Sequence, residues 1–180
     1  MTTVQSDRPT VRVTARGAER WKQGHPWIYR SDVAAEPDKE PGIVPVTDRK
    51  GKFLGQALYS PRSEIRLRLL TRGQETIDAP WWMERLASAA RRRNGIESSA
   101  WRVVHAEADA LPSLVIDKYG PYVVAQLLSA GLETARTEIV SAIQRTLRPE
   151  GILLRNDAAV RRHEGLPPEV VLAFGQVPEV

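Results

Sequence analysis

The stretch Glu64-Ile65-Arg66-Leu67-Arg68-Leu69-Leu70 alternates apolar and charged residues with a period of two. Only an extended strand puts successive side chains on opposite faces in that way. The pattern predicts Ile65, Leu67 and Leu69 turned to a core, with Arg66 and Arg68 turned outward. Its neighbours extend the reading. GIVPVTD and KFLGQALYS flank Asp48-Arg49-Lys50-Gly51, whose glycine accepts the positive φ of a hairpin turn. TVRV at Thr10–Val13 alternates as well. Short strands with turn signals at this spacing predict a small β-barrel over residues 8–73 rather than βαβ units.

Within that segment, Ala18–Lys22 has the composition of one helical turn, stopped by Gly24 and Pro26. The stop lies in Gln23-Gly24-His25-Pro26-Trp27-Ile28-Tyr29-Arg30, which crowds three ring-bearing side chains, His25, Trp27 and Tyr29, with a cation around a bend. Two readings of Trp27 compete: an anchor in the barrel core, and a platform on which a base stacks.

Beyond the barrel, Asp78 is placed to cap a helix, with Pro80 in the first turn where its missing N–H does no harm. Trp82, Leu86 and Ala90 keep helical spacing, so a helix is expected from Ala79 to about Asn94, within a linking segment at 74–99. Arg91-Arg92-Arg93 at its end complement the helix dipole. Residues 100–180 then read as a small α/β domain of strand-strand-helix-strand type. WRVVHA, SLVID and YVVAQLL are strands, the last two joined at Tyr119-Gly120-Pro121. A helix spaced on Leu132, Ile139, Ile143 and Leu147 ends at Pro149, and GILLR returns as a strand. Val177-Pro178-Glu179-Val180 reads as the start of a further extended segment. The fold class is therefore α+β.

Composition narrows the chemistry. There is no cysteine, which excludes disulfides and thiolate zinc sites. The first ten residues have no apolar signal region and no later run reaches a membrane span, so a cytoplasmic location without membrane association is expected. No G-x-G-x-x-G and no phosphate-binding loop occurs, and no catalytic residue is assigned. His105, Glu107 and Asp109 share one side of an extended segment, as a metal cluster or as a polar loop rim; the loop rim is the expectation, with no metal site.

Charge is uneven. Residues 1–75 hold 14 Lys and Arg against 9 Asp and Glu, while the rest is nearly balanced. A polyanion would dock on the first half. RNA is held by cations on phosphates and flat side chains on bases. The candidate RNA-binding residues are Lys22, His25, Trp27, Arg30, Arg62, Arg66 and Arg68.

TARGAERWKQGHPWIYRSDV followed by GIVPVTDRKGKFLGQALYSPRSEIRLRLL resembles the PUA domain that opens a bacterial family of S-adenosylmethionine-dependent 23S rRNA cytosine-C5 methyltransferases of type I. VVHAEADALPSLVIDKYGPYVVAQ and GILLRNDAAVRRHEGL are similar to the small α/β domain that follows PUA there. The resemblance runs from Thr10 to Val180, carried by G-H-P-W and L-P-x-L-x-x-D-x-Y-G. Where members often show D-G-L-P-G-L, this chain has Asp109-Ala110-Leu111-Pro112-Ser113-Leu114, and a different loop conformation is expected. The resemblance implies a chain that recognises ribosomal RNA and is inactive alone. The family's Rossmann methyltransferase domain is expected to be missing, and with it the S-adenosylmethionine site of the full-length parent. Cytosine-C5 transfer uses a nucleophile on C6, usually a Cys thiolate, and this chain has none. Two other readings stay open: a free-standing PUA-type RNA-binding protein, and an assembly module that forms a homodimer.

Overall fold

The computed structural model describes residues 9–36 and 40–178. Arg8, at the expected start of the barrel, and Glu179-Val180, in the expected last extended segment, lie outside the described residues. The chain divides into two units, Met1–Gln74 and Glu75–Val180.

The first unit runs β1 (Val11–Val13), α1 (Ala15–Lys22), β2 (Trp27–Tyr29), β3 (Val33–Ala35), β4 (Gly42–Thr47), β5 (Phe53–Tyr59) and β6 (Ile65–Thr71). Its six strands pair in the order β2-β6-β5-β4-β1-β3, antiparallel except for β1 with β4. A 3-10 turn of three residues, Arg30–Asp32, joins the two outermost strands. Tyr29 to Val33 spans at most ~15 Å of chain, whereas the edges of a flat six-stranded sheet lie ~24 Å apart. The sheet must therefore roll up around its core. Val11, Val13, Trp21, Ile28, Val46, Ala57 and Leu67 fill that core. The β4–β5 hairpin forms at the expected turn: Asp48 Oδ1 accepts from the N–H groups of Lys50 (2.8 Å) and Lys52 (2.9 Å), and Gly51 has φ +80°.

Strand β6 departs from its expected two-faced character. Leu67 is buried and Leu69 packs against the core as its alternation requires, but Arg66 and Arg68 are buried too, at 7% and 5% exposure. Their outward placement is corrected: β6 is a central strand covered on both faces.

The second unit contains α2 (Ala79–Arg91), β7 (Ala100–His105), β8 (Leu114–Tyr119), β9 (Tyr122–Leu127), α3 (Ala130–Glu133), α4 (Arg136–Leu147), β10 (Gly151–Asn156), α5 (Val160–His163) and β11 (Glu169–Gly175). Asp78 caps α2 as its sequence predicts, accepting from Trp81 N–H at 3.1 Å. The helix packs on α4 and β7, burying Trp82, Leu86 and Ala89. The sheet order is β11-β10-β9-β8-β7, with β9 and β10 parallel and the crossover made by α3 and α4. Strand β11 was not expected. It pairs antiparallel with β10, adding an outer strand to the anticipated set.

The 106–114 loop keeps a backbone suited to glycine without the glycines. Ala110 and Ser113 have φ of +55° and +64°, the left-handed region that costs a side-chain-bearing residue about 1 kcal/mol or more.

Candidate nucleic-acid interface

Helix α1 begins at Thr14, whose Oγ1 accepts from Gly17 N–H at 3.1 Å, and ends in a Schellman motif. Gly24 N–H donates to Trp21 O (3.0 Å) and His25 N–H to Arg20 O (3.1 Å), with Gly24 at φ +87°. Glycine is the residue that takes this conformation at no steric cost. Pro26 follows, and its carbonyl accepts from Leu69 N–H at 2.9 Å, bringing the chain onto the edge of β6. The mixed composition of this segment is thus a helix stop followed at once by an edge strand.

That geometry sets rings and cations side by side. His25 Nδ1 turns back on the backbone of Trp27, 3.1 Å from its N–H nitrogen and 3.2 Å from its carbonyl oxygen. The His25 ring lies 5.8 Å from Trp27, edge-on, and 6.1 Å from Tyr29. Arg20, one turn after Arg16 on α1, places its guanidinium 5.1 Å from the centre of the Tyr29 ring. Both arginines bind the buried carboxylate of Asp32: Arg16 through Oδ1, Arg20 through Oδ2 at 3.3 Å. The result is a continuous band, Arg16–Arg20–Tyr29–His25–Trp27. Arg16 and Arg20 were missed from sequence, although their i, i+4 spacing within ARGAERWK places them on one helix face.

The predicted residues divide into two groups. Lys22 and Arg30 are exposed, 67% and 65% at the side chain, and each has only a loose ion pair, to Glu19 at 3.5 Å and Glu64 at 3.6 Å. Such exposed pairs are worth under about 1 kcal/mol and yield readily to a phosphate. Arg30 N–H also donates to Glu64 O at 2.9 Å, which brings it to the 61–64 turn that carries the exposed Arg62. His25 and Trp27 are half-buried at the same end of α1. The residue that anchors the core is Trp21, 1% exposed, rather than Trp27.

Arg66 and Arg68 belong to a different construction. Arg66 Nε donates to Glu36 at 2.9 Å and Nη1 to Ser63 O at 3.1 Å and to Pro61 O, while Tyr59 Oη donates to the other Glu36 oxygen. Arg68 Nη1 donates to Ile65 O at 3.1 Å. These two guanidiniums tie the β5–β6 turn together.

In the second unit the His105-Glu107-Asp109 segment is structural, and among the described residues no group of three or more His, Asp or Glu is placed to hold a metal. Asp109 is buried and accepts from Arg92 Nη2 and Arg93 Nη1 and Nη2, each at 2.7 Å, and from His105 N–H at 2.6 Å. Burial alone would raise its pKa, but the hydrogen bonds from Arg93 and Arg92 outweigh it and hold the carboxyl at about 2. The Arg91–Arg93 run therefore supplies a clamp as well as a helix terminus. A cavity of about 400 Å³ between α4 and β11 is lined by Arg136, Val140, Gln144, Leu154, Val171 and Ala173 among others. It offers neither a carboxylate for a ribose nor a glycine-rich turn, so it does not fit an adenosyl methyl donor.

Comparison with known proteins agrees with this architecture. Residues 11–72 match the PUA-like domain family. Over 161 residues the chain is 40% identical to ribosomal RNA large subunit methyltransferase I of Tolumonas auensis, covering 86% of this chain and 41% of the relative. It is 37% identical over 177 residues to the protein of the same name from Shigella boydii, covering 92% and 44%. A structure described as a SAM-dependent methyltransferase of Streptococcus mutans superposes with a TM-score of 0.78 at 18% identity, covering 94% of this chain and 44% of that one. A second methyltransferase structure, complexed with SAH, matches at 0.78 and 17%, covering 94% and 43%. The chain thus carries a PUA-like domain at residues 11–72 and spans a little under half the length of the homologous ribosomal RNA large subunit methyltransferases I that it matches.

Proposed function

We propose that this chain is the RNA-binding, substrate-recognition region of an S-adenosylmethionine-dependent ribosomal RNA (cytosine-C5) methyltransferase acting in the cytoplasm. The observation that carries the reading is the band Arg16–Arg20–Tyr29–His25–Trp27 on a PUA-like unit, next to the exposed Lys22, Arg30 and Arg62. Cations there neutralise phosphates, while Trp27, Tyr29 and the His25 ring offer flat faces to unpaired bases and riboses. Arg66 and Arg68 hold the turn beneath this surface. No helix among the described residues is long and apolar enough to cross a membrane.

The methyl donor and the nucleophile are assigned to the additional length of the relatives. In this chain the cavity beside α4 lacks the groups a donor would need, and cysteine is absent. The chain alone therefore recognises RNA and transfers no methyl group. The test is filter binding of the chain to 23S rRNA fragments beside duplex DNA of equal length, with titration calorimetry against S-adenosylmethionine. RNA retention in excess of DNA, with no heat from the donor, is expected. Equal retention of both nucleic acids, or a saturable stoichiometric heat with the donor, would overturn the assignment.

A further inference from the structure

We propose that Asp32 is the positioning residue of the RNA surface: its buried carboxylate holds Arg16 and Arg20 as a preformed pair of guanidiniums for one phosphate of the RNA backbone. The inference rests on the RNA-binding reading and adds to it the group that organises the cations. The Asp32 side chain is only 1% exposed, whereas that of Arg16 is 67% exposed and that of Arg20 31%. Both arginines reach it through Nε, Arg16 on Oδ1 and Arg20 on Oδ2 at 3.3 Å. Two guanidiniums on the two oxygens of one carboxylate are close neighbours, and without it they repel each other. With it, the trio keeps a surplus positive charge in a fixed arrangement.

The contact through Nε spends one of the five N–H donors of each guanidinium. Arg16 Nη2 meets Ser31 Oγ at 3.1 Å in an exposed position, and that hydroxyl can itself donate to a phosphate oxygen. Among the described residues no acceptor is set against the Nη groups of Arg20. The Arg20 guanidinium is backed instead by the Tyr29 ring. A planar fork that is already oriented binds a phosphate with less loss of side-chain freedom than a mobile one.

The local sequence is built to bring these groups together. One short segment supplies both supports, since β2 ends in Tyr29 and the Arg30–Asp32 turn follows directly. Gly17 stands between the two arginines, where an added Cβ would lie 3.0 Å from Asp32 O and 3.2 Å from Asp32 Cβ. Glycine weakens a helix interior, and here it lets the carboxylate approach. A staple that only held the turn to the helix would leave Arg16 unexplained. That residue lies in the first turn of α1, where the helix dipole opposes a cation, and most of its side chain is in solvent.

The test is filter binding of the chain and its variants to a structured 23S rRNA fragment. Asp32→Asn deletes a negative charge beneath a surface that meets a polyanion, so net charge alone predicts tighter binding. Positioning predicts the reverse, an affinity lower by roughly tenfold, because two long side chains must be ordered anew in each complex. Glu19→Gln deletes the same charge from a side chain of the same helix that is 56% exposed; it should bind as tightly as the wild type or more tightly. In a chain that already carries Arg16→Ala and Arg20→Ala, adding Asp32→Asn should cause no further loss, which separates action through the arginines from a general weakening of the fold. If circular dichroism shows Asp32→Asn misfolded, Arg20→Lys takes its place, because it keeps the charge and loses the Nε contact, and it should weaken binding roughly fivefold. A folded Asp32→Asn or Arg20→Lys variant with wild-type affinity would overturn the positioning role and leave the RNA-binding reading standing. A wild type that retains RNA no better than duplex DNA would overturn that reading and this inference with it.

Discussion

Replacing Asp109 by Asn removes the charge on which Arg92, Arg93 and the His105 N–H converge. The carboxylate is held at about 2 against an ordinary 3.8, a difference that corresponds by linkage to about 2 kcal/mol of stability. The folded-state value lies below the unfolded one, so this stability is present above pH ~4 and is lost as the pH falls through ~2. The substitution also turns an NH₂ toward groups that are all donors, leaving buried partners unpaired. Together these effects should cost about 3–5 kcal/mol at pH 7. Urea denaturation gives the total, and hydrogen exchange with mass spectrometry should place the loss in peptides covering β7 and the 106–114 loop. The gap between wild type and variant should shrink by roughly 1 kcal/mol at pH 3, where about half of the linked stability is gone. A loss below about 1 kcal/mol at neutral pH, or a gap unchanged down to pH 3, would refute the assignment of Asp109 as a clamped, ionised core group.

Ala110→Gly should stabilise the second unit by about 1 kcal/mol, since the present residue holds φ at +55°; a melt showing lower stability would contradict that strain. Trp21→Ala should cost the first unit about 3–5 kcal/mol, whereas Trp27→Ala should leave the melt nearly unchanged and weaken RNA binding by ~1–3 kcal/mol; reversal of the two phenotypes in parallel melts and filter binding would return the core role to Trp27. Arg66→Ala should destabilise by about 2 kcal/mol or more, because it strands Glu36 and two carbonyls. The salt dependence of RNA binding by that variant, measured where it is folded, should match the wild type.

Local chemistry was legible in the sequence. The Asp48–Gly51 turn, the Asp78 cap, the Gly24 stop and the Gly120-Pro121 connection each depend on residues a few positions apart, and each formed where its residues dictate. What alternation could not show is the second layer of burial. Arg66 and Arg68 read as an outward face, because the partner that covers Arg66, Glu36, arrives from 30 residues away. Strand β11 escaped because Glu169–Gly175 is an apolar run without alternation, set behind two prolines. The candidate interface was half legible. His25, Trp27 and Arg30 stood out by composition, while Arg16 and Arg20 became part of it only when Asp32 and Tyr29 returned beside α1.

The central claim is that the first unit meets RNA through Lys22, Arg30 and Arg62 beside the aromatic band. The most direct measurement is the salt dependence of binding to a structured 23S rRNA fragment by the wild type and by the variant with all three replaced by Ala. Each lost phosphate contact should reduce the log–log slope by roughly 0.7–0.9, so the variant's slope should be flatter by roughly 2 to 3. A folded variant that binds with the wild-type slope would show that RNA sits on another face.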